Sequence, residues 1–247
     1  LTELGLRPHA SYGTGVRLPT MFEQFGFIPS QFTPNPSLQP EESRGWDAGV
    51  EITLPVPTAS LDVTYFHSDL TNKIDGLAQG PGFTLTARNL PGISLREGVE
   101  TAVKFRPLPH ILVAASYTYL NAIDSTGLEE LRRPPHAGRV DVTYDFAGGR
   151  GKVSVGALYN GRQLDRTIDY NFAPALVTLD DYWLVSAKAS YKLTQTVELY
   201  GRVENALDTR YQELFGYNTP GIAAYAGMRI LFESGGKVED RTVASVK

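Results

Sequence analysis

The sequence predicts an all-β protein, an antiparallel β-barrel that crosses a membrane. Three observations support this prediction. Apolar and polar residues alternate along ten short segments, and the connections between those segments alternate between short and long. No stretch reaches the ~18–20 consecutive apolar residues of a membrane helix, whereas a membrane strand needs only ~9–11 residues with alternate ones apolar.

The alternation is clearest in residues 139–146. One face of this strand carries Val140, Val142, Tyr144 and Phe146, and the other carries Asp141, Thr143 and Asp145. Successive side chains of a strand point to opposite faces, so the pattern predicts one apolar and one polar face. The ten predicted strands are 6–16, 45–54, 60–68, 93–106, 110–121, 137–146, 152–160, 182–193, 196–206 and 222–232.

The connections between these strands alternate in length without exception. The short ones are 55–59, 107–109, 147–151 and 194–195, and the long ones are 17–44, 69–92, 122–136, 161–181 and 207–221. Outer-membrane barrels have short periplasmic turns and longer extracellular loops. A soluble β-sandwich or a lipocalin-like barrel alternates too, but has no reason to sort its loops by parity. This parity predicts that both chain ends lie on the periplasmic side.

The polar face of the predicted strands is strongly charged. Glu100, Lys104 and Arg106 share a face of one strand, as do Glu198, Arg202 and Glu204 of another. Such charges cannot face lipid, and they suit a wide, wet lumen. Aromatic residues near strand ends suit the belts at the two membrane surfaces.

Composition excludes several classes of function. The absence of cysteine excludes disulfides and thiol chemistry, and a net charge of −4 gives no footprint for nucleic acid. The chain does not begin with Met or a signal peptide, so we expect a mature or truncated piece of a protein. If the protein is an enzyme, the one plausible catalytic set is His136 with Asp124 or Asp165, as in an outer-membrane protease.

Several short motifs occur in order along the chain. They are YGTGVRLPT at 12–20, NPSLQPE at 35–41 followed by WDAGVE at 46–51, GVE at 98–100, RPPH at 133–136 and VENALDTRY at 203–211. Together they resemble the TonB-dependent receptors of the Gram-negative outer membrane. The resemblance implies that residues 1–232 form the C-terminal ten or so strands of a 22-stranded barrel. A separate N-terminal plug, absent from this sequence, would contact TonB.

Two further expectations concern the extent of the barrel and the C-terminal residues. A self-standing ten-stranded barrel is the alternative to a barrel portion. The aromatic Phe232 matches the last residue of the family, and residues 233–247 are polar, with two glycines and alternating charges. We therefore expect 233–247 to form a disordered periplasmic tail.

Within the family, the segment YQELFGYNTPG at 211–221 resembles the cobalamin transporters. That resemblance implies a large nutrient ligand bound from outside, with Arg132 and Tyr170 as ligand contacts and with no catalytic residue, metal or cofactor in this chain. A guanidinium can donate to the phosphate or amide carbonyls of cobalamin, and a tyrosine can pack and donate. Arg132 could instead pair with Glu129 or Glu130, and a siderophore receptor remains an alternative. A haem receptor is disfavoured because residues 20–34 contain no histidine.

Overall fold

A computed structural model describes residues 4–26, 28, 30–54, 59–168 and 174–231. The regular elements, in chain order, are β1 (Gly5–Arg17), α1 (Met21–Phe25), β2 (Glu41–Leu54), β3 (Ala59–Thr71), β4 (Ile74–Gln79), β5 (Leu85–Asn89), β6 (Ile93–Leu108), β7 (Ile111–Ile123), β8 (His136–Phe146), β9 (Gly151–Asn160), β10 (Gln163–Ile168), β11 (Pro174–Leu179), β12 (Tyr182–Lys192), β13 (Val197–Glu204) and β14 (Ala223–Ile230). No helix in these ranges is long and apolar enough to cross a membrane.

Ten of these strands form one antiparallel sheet, in the order β1-β2-β3-β6-β7-β8-β9-β12-β13-β14. Every strand of this sheet corresponds to one of the ten predicted strands, so the predicted fold class is confirmed. Within the described residues β1 and β14 are the two edges and do not pair with each other. The sheet is therefore open, as expected for a portion of a larger barrel and not for a closed ten-stranded one.

The long connections hold more structure than the sequence predicts. Residues 69–92 contain the hairpin β4–β5, and residues 161–181 contain the hairpin β10–β11. The first hairpin forms because Ile74 and Ala87 pack against Phe32 and Leu38 of a different connection. Such a contact between distant segments leaves no local periodicity. Phe232 and the predicted tail at 233–247 lie outside the described residues.

Strand register places the apolar positions on one continuous face. Val142 of β8 lies opposite Val113 of β7 and Val155 of β9, so three apolar residues adjoin across three strands. Val142 is 41% exposed and Val155 is 45% exposed, although both are apolar. Side chains of this kind are exposed because their solvent is lipid. This face is the outer surface of the barrel.

Aromatic residues border the outer surface at both ends. The belt near the long connections comprises Tyr12, Trp46, Tyr65, Tyr117, Tyr119, Tyr159 and Trp183, with Tyr159 and Trp183 at 4.9 Å between ring centroids. The belt near the short turns comprises Tyr144, Phe146 and Tyr191. The ring centroids of Tyr144 and Phe146 are 6.0 Å apart, and those of Phe146 and Tyr191 are 6.1 Å apart. The 11 residues of β8 span this band in ten steps of ~3.4 Å, which at a ~40° tilt gives a height of about 26 Å. That is the thickness of the apolar band of an outer-membrane barrel.

The opposite face of the sheet carries the charges and faces the lumen. Arg229 Nη1 donates to Glu198 Oε2 at 2.7 Å between β14 and β13, and His9 Nε2 lies 3.0 Å from Asp62 Oδ2. Arg7 pairs with Glu51 on the neighbouring strand. The side chains of these three pairs each have a polar partner on the lumenal face, so the desolvation cost of facing lipid is avoided. The predicted charged face of the strands is confirmed, and the predicted width of the lumen stays a prediction.

Candidate ligand-binding site

The five long connections lie at one end of the sheet, and together we call them the loop layer. They are L1 (18–40), L2 (72–92), L3 (124–135), L4 (161–181) and L5 (205–222). The buried apolar residues of the described chain all lie in this layer or at the strand ends beside it: Phe32, Leu38, Leu70, Ile74, Ala78, Ala87, Ala122, Leu179 and Tyr182. The loop layer is therefore a packed structure and not a set of independent loops.

Two of the sequence motifs meet at the base of L1. Arg17 of the first motif donates from Nε to Glu41 Oε2 of the second at 2.6 Å. Glu41 also accepts from the backbone N–H of Ile74 at 2.7 Å, which ties L1 to L2. Thr20 caps α1, and Glu23 completes the capping box while pairing with Arg17 at 3.1 Å. These motif residues therefore hold the loop layer together.

A buried carboxylate, Glu130 of L3, ties L2 and β6 to L3. Its side chain is 3% exposed, and it accepts from Lys73 Nζ at 2.7 Å and from Arg96 Nε at 2.8 Å. Burial alone would raise the pKa of Glu130, but the hydrogen bonds from Lys73 and Arg96 outweigh it, so the pKa lies below its ordinary value. Glu130 is therefore ionised at neutral pH and anchors two cations.

A second buried carboxylate, Asp165 of L4, joins three connections. Its side chain is 1% exposed and accepts from Arg132 Nε of L3 at 2.8 Å. It also accepts from the backbone N–H of Phe215 in L5 and of Arg166, both at 2.8 Å. Burial would raise the pKa of Asp165, but these three hydrogen bonds outweigh it and the pKa is lowered. Sequence reasoning did not identify this role, because Arg132 and Phe215 are distant from Asp165 in sequence.

Arg132 is held by its backbone N–H and its Nε, and its terminal nitrogens bond no described residue. Its backbone has φ of 58°, in the left-handed region that non-glycine residues rarely adopt, and its N–H donates to Leu164 O at 2.8 Å. The side chain is 51% exposed, and its two terminal nitrogens make no hydrogen bond to any described residue. The alternative prediction that Arg132 pairs with Glu129 or Glu130 is wrong, because Arg132 pairs with Asp165.

Arg132 lines a cavity of about 510 Å³, which we call cavity A. The walls come from L2, L3, L4 and the end of β6. The cavity lies on the predicted extracellular side and has the size of an ordinary small-molecule pocket. The structure thus places one of the two predicted contacts at a concave surface. Tyr170, the other predicted contact, lies outside the described residues.

A second cavity, cavity B, has a volume of about 800 Å³ and lies between L4 and L5. Its walls include Tyr211, Phe215 and Thr219, which belong to the segment that resembles the cobalamin transporters. Asn205 fixes the two ends of L5, since its side-chain amide bonds Thr209 O at 2.9 Å and Pro220 O at 3.3 Å. Asp165 lies between the two cavities, because Arg132 lines one and Phe215 the other.

The alternative protease set from the sequence is not assembled within the described residues. His136 hydrogen bonds Tyr117 Oη at 2.8 Å in the outer aromatic belt, away from the carboxylates proposed for a protease. Asp124 accepts from the backbone of Thr126 and Leu128, and Asp165 pairs with Arg132. Asp180 and Asp181 line cavity B, yet in the described part of the chain no group of three potential ligands could hold a metal ion.

The open sheet, the aromatic belts and the loop layer at one end of the sheet define the class of protein, an outer-membrane β-barrel. Residues 3–206 match the family described as TonB dependent receptor-like, beta-barrel. The chain belongs to this family of outer-membrane receptors.

Curated relatives agree with this membership. The chain is 29% identical over 205 residues to the vitamin B12 transporter BtuB of Vibrio vulnificus, covering 82% of this chain and 30% of the relative. It is 28% identical over 235 residues to BtuB of Vibrio cholerae, covering 94% and 35%. The chain thus spans about a third of the length of these relatives.

Solved structures share the fold at lower identity. The copper transporter OprC superposes with a TM-score of 0.72 at 18% identity, covering 92% of this chain and 37% of OprC. The siderophore receptor PirA of Acinetobacter baumannii superposes with a TM-score of 0.71 at 19% identity, covering 92% and 39%. At these identities the likeness supports the fold alone.

Proposed function

We propose that this chain is the closing part of a receptor that binds cobalamin outside the cell and takes it up with energy delivered by TonB. TonB would act through a plug domain of the receptor. The observation that carries the proposal is the position of segment 211–221. This segment lines cavity B, and its Phe215 shares Asp165 with Arg132 of cavity A.

Two further points support cobalamin as the ligand. Two relatives, 29% and 28% identical to the chain, are vitamin B12 transporters by name. The two terminal nitrogens of Arg132, which bond no described residue, suit the phosphate or an amide carbonyl of cobalamin, since a guanidinium donates to either. Tyr170 is proposed as a second contact that packs its ring against the ligand. A ferric siderophore is the alternative ligand, because a siderophore receptor shares the fold.

Equilibrium binding of cyanocobalamin to the intact receptor tests this proposal. We expect saturable binding, and we expect Arg132→Ala to weaken it by about 1–3 kcal/mol, the usual range for a hydrogen bond to a charged group. Arg162→Ala is the matched control, since Arg162 is an exposed loop arginine outside both cavities. Failure to bind at micromolar cyanocobalamin, together with tight binding of a ferric siderophore, would reject cobalamin as the ligand.

A further inference from the structure

Cavity A carries more positive than negative charge. Six cationic side chains line it: Lys73, Arg88, Arg96, Arg132, Arg133 and Arg166. Four carboxylates line it as well: Asp75, Asp124, Glu129 and Glu130. Five of the six cations are arginines, whose planar guanidinium groups match the geometry of phosphate and carboxylate oxygens.

Three of the four carboxylates already accept hydrogen bonds from other residues of the protein. Glu130 uses both oxygens on Lys73 and Arg96. Asp75 accepts from Arg166 Nη1 at 3.0 Å, and Asp124 accepts from the backbone N–H groups of its own turn. Glu129 is exposed and forms no ion pair with any of the six cations. The carboxylates therefore do not neutralise the remaining arginines.

Three arginines keep donors available. Arg88 is exposed and makes no hydrogen bond or ion pair with the part of the chain that is described. Arg133 is 50% exposed and reaches Glu130 only at 4.0 Å. The two terminal nitrogens of Arg132 bond no residue within the described ranges. The uncommitted donors thus come from L2 and L3, which Glu130 and Lys73 hold together beneath them.

We propose that cavity A is an oxyanion site in which Arg88 and Arg133, beside Arg132, receive a phosphate or carboxylate group of the transported ligand. The assignment rests on the proposed function and specifies the chemistry of the ligand. For cobalamin the group is the phosphate of its nucleotide loop, and for a carboxylate-bearing ferric chelate such as ferric citrate it is a carboxylate. Arg88 and Arg133 are ligand-binding residues in either case.

Two corrinoids distinguish the phosphate from the rest of the ligand. Cyanocobalamin carries the phosphate, and dicyanocobinamide lacks the nucleotide loop that contains it. In the intact receptor, Arg88→Gln and Arg133→Gln should each weaken cyanocobalamin binding roughly tenfold, the effect of about one charge-assisted hydrogen bond. Binding of dicyanocobinamide should not change, and the control Arg162→Gln should affect neither compound. Equal losses for both corrinoids, or no loss for cyanocobalamin, would overturn the site.

If the receptor binds neither corrinoid, cobalamin is rejected as the ligand, but the oxyanion site is not. The test then uses ferric citrate and inorganic phosphate on the same intact variants at low ionic strength, where exposed charges are least screened. Arg88→Gln should weaken ferric citrate or phosphate roughly tenfold relative to Arg162→Gln. Equal affinities in these two variants, or no binding of either probe to the unmodified receptor, would overturn the site. Unchanged heat-modifiable migration on a gel would show that each variant folds.

Discussion

In the sheet, apolar side chains are exposed to lipid and charged ones face a wet lumen, whereas the loop layer buries both kinds. Val142 of the sheet is 41% exposed, but Ile74 of the loop layer is 8% exposed. The charged residue Asp165 is 1% exposed. The sheet therefore depends on strand pairing and on the surrounding bilayer, and the loop layer depends on its own small core and on ionic anchors. The difference separates a scaffold from a recognition surface.

The largest effect is expected on the lipid face of the sheet. Val142→Arg puts a charge near the middle of the bilayer and should cost about 2–4 kcal/mol of barrel stability. Thr143→Arg, one residue along the same strand, faces the lumen and should cost less than about 1 kcal/mol. Unfolding of the intact receptor in lipid vesicles measures both. Equal losses would mean that the faces of β8 are assigned wrongly.

A smaller and more local effect is expected at Asp165. Asp165→Ala leaves the N–H groups of Phe215 and Arg166 without their acceptor. This should lower the stability of the loop layer by about 1–3 kcal/mol. The loss should appear as faster proteolysis of L3, L4 and L5, with unchanged stability of the sheet. Asp145→Ala removes a lumenal ion pair with Lys152 and is the control. A variant at Asp165 that unfolds the whole barrel would contradict an independent loop layer.

The smallest effect concerns pH. The pKa values of Asp165 and Glu130 are lowered in the folded protein, so their stabilisation is fully present above their unfolded values, ~3.9 and ~4.3. It is lost as the pH falls through the lower folded values. Pepsin should therefore cleave the loop layer faster at pH 3 than at pH 5, after correction for the enzyme's own pH dependence. A loosening that begins between pH 6 and 8 would implicate other groups.

The same comparison explains what the sequence could predict. The sheet obeys a period of two because each strand faces lipid on one side and water on the other, so all ten strands were found. The hairpins β4–β5 and β10–β11 have no such fixed environment and were missed. Arg132 was placed at the ligand side by resemblance, yet its partner Asp165 lies 33 positions away in sequence and no local pattern indicates it.

Hydrogen–deuterium exchange of the intact receptor, with and without cyanocobalamin, tests the central claim most directly. A ligand held by the loop layer should slow amide exchange in residues 128–133, 163–166 and 211–221. Exchange in the transmembrane parts of β1, β2 and β3 should stay unchanged. Protection confined to segments outside L2–L5, or no protection at a saturating concentration of cyanocobalamin, would contradict the account.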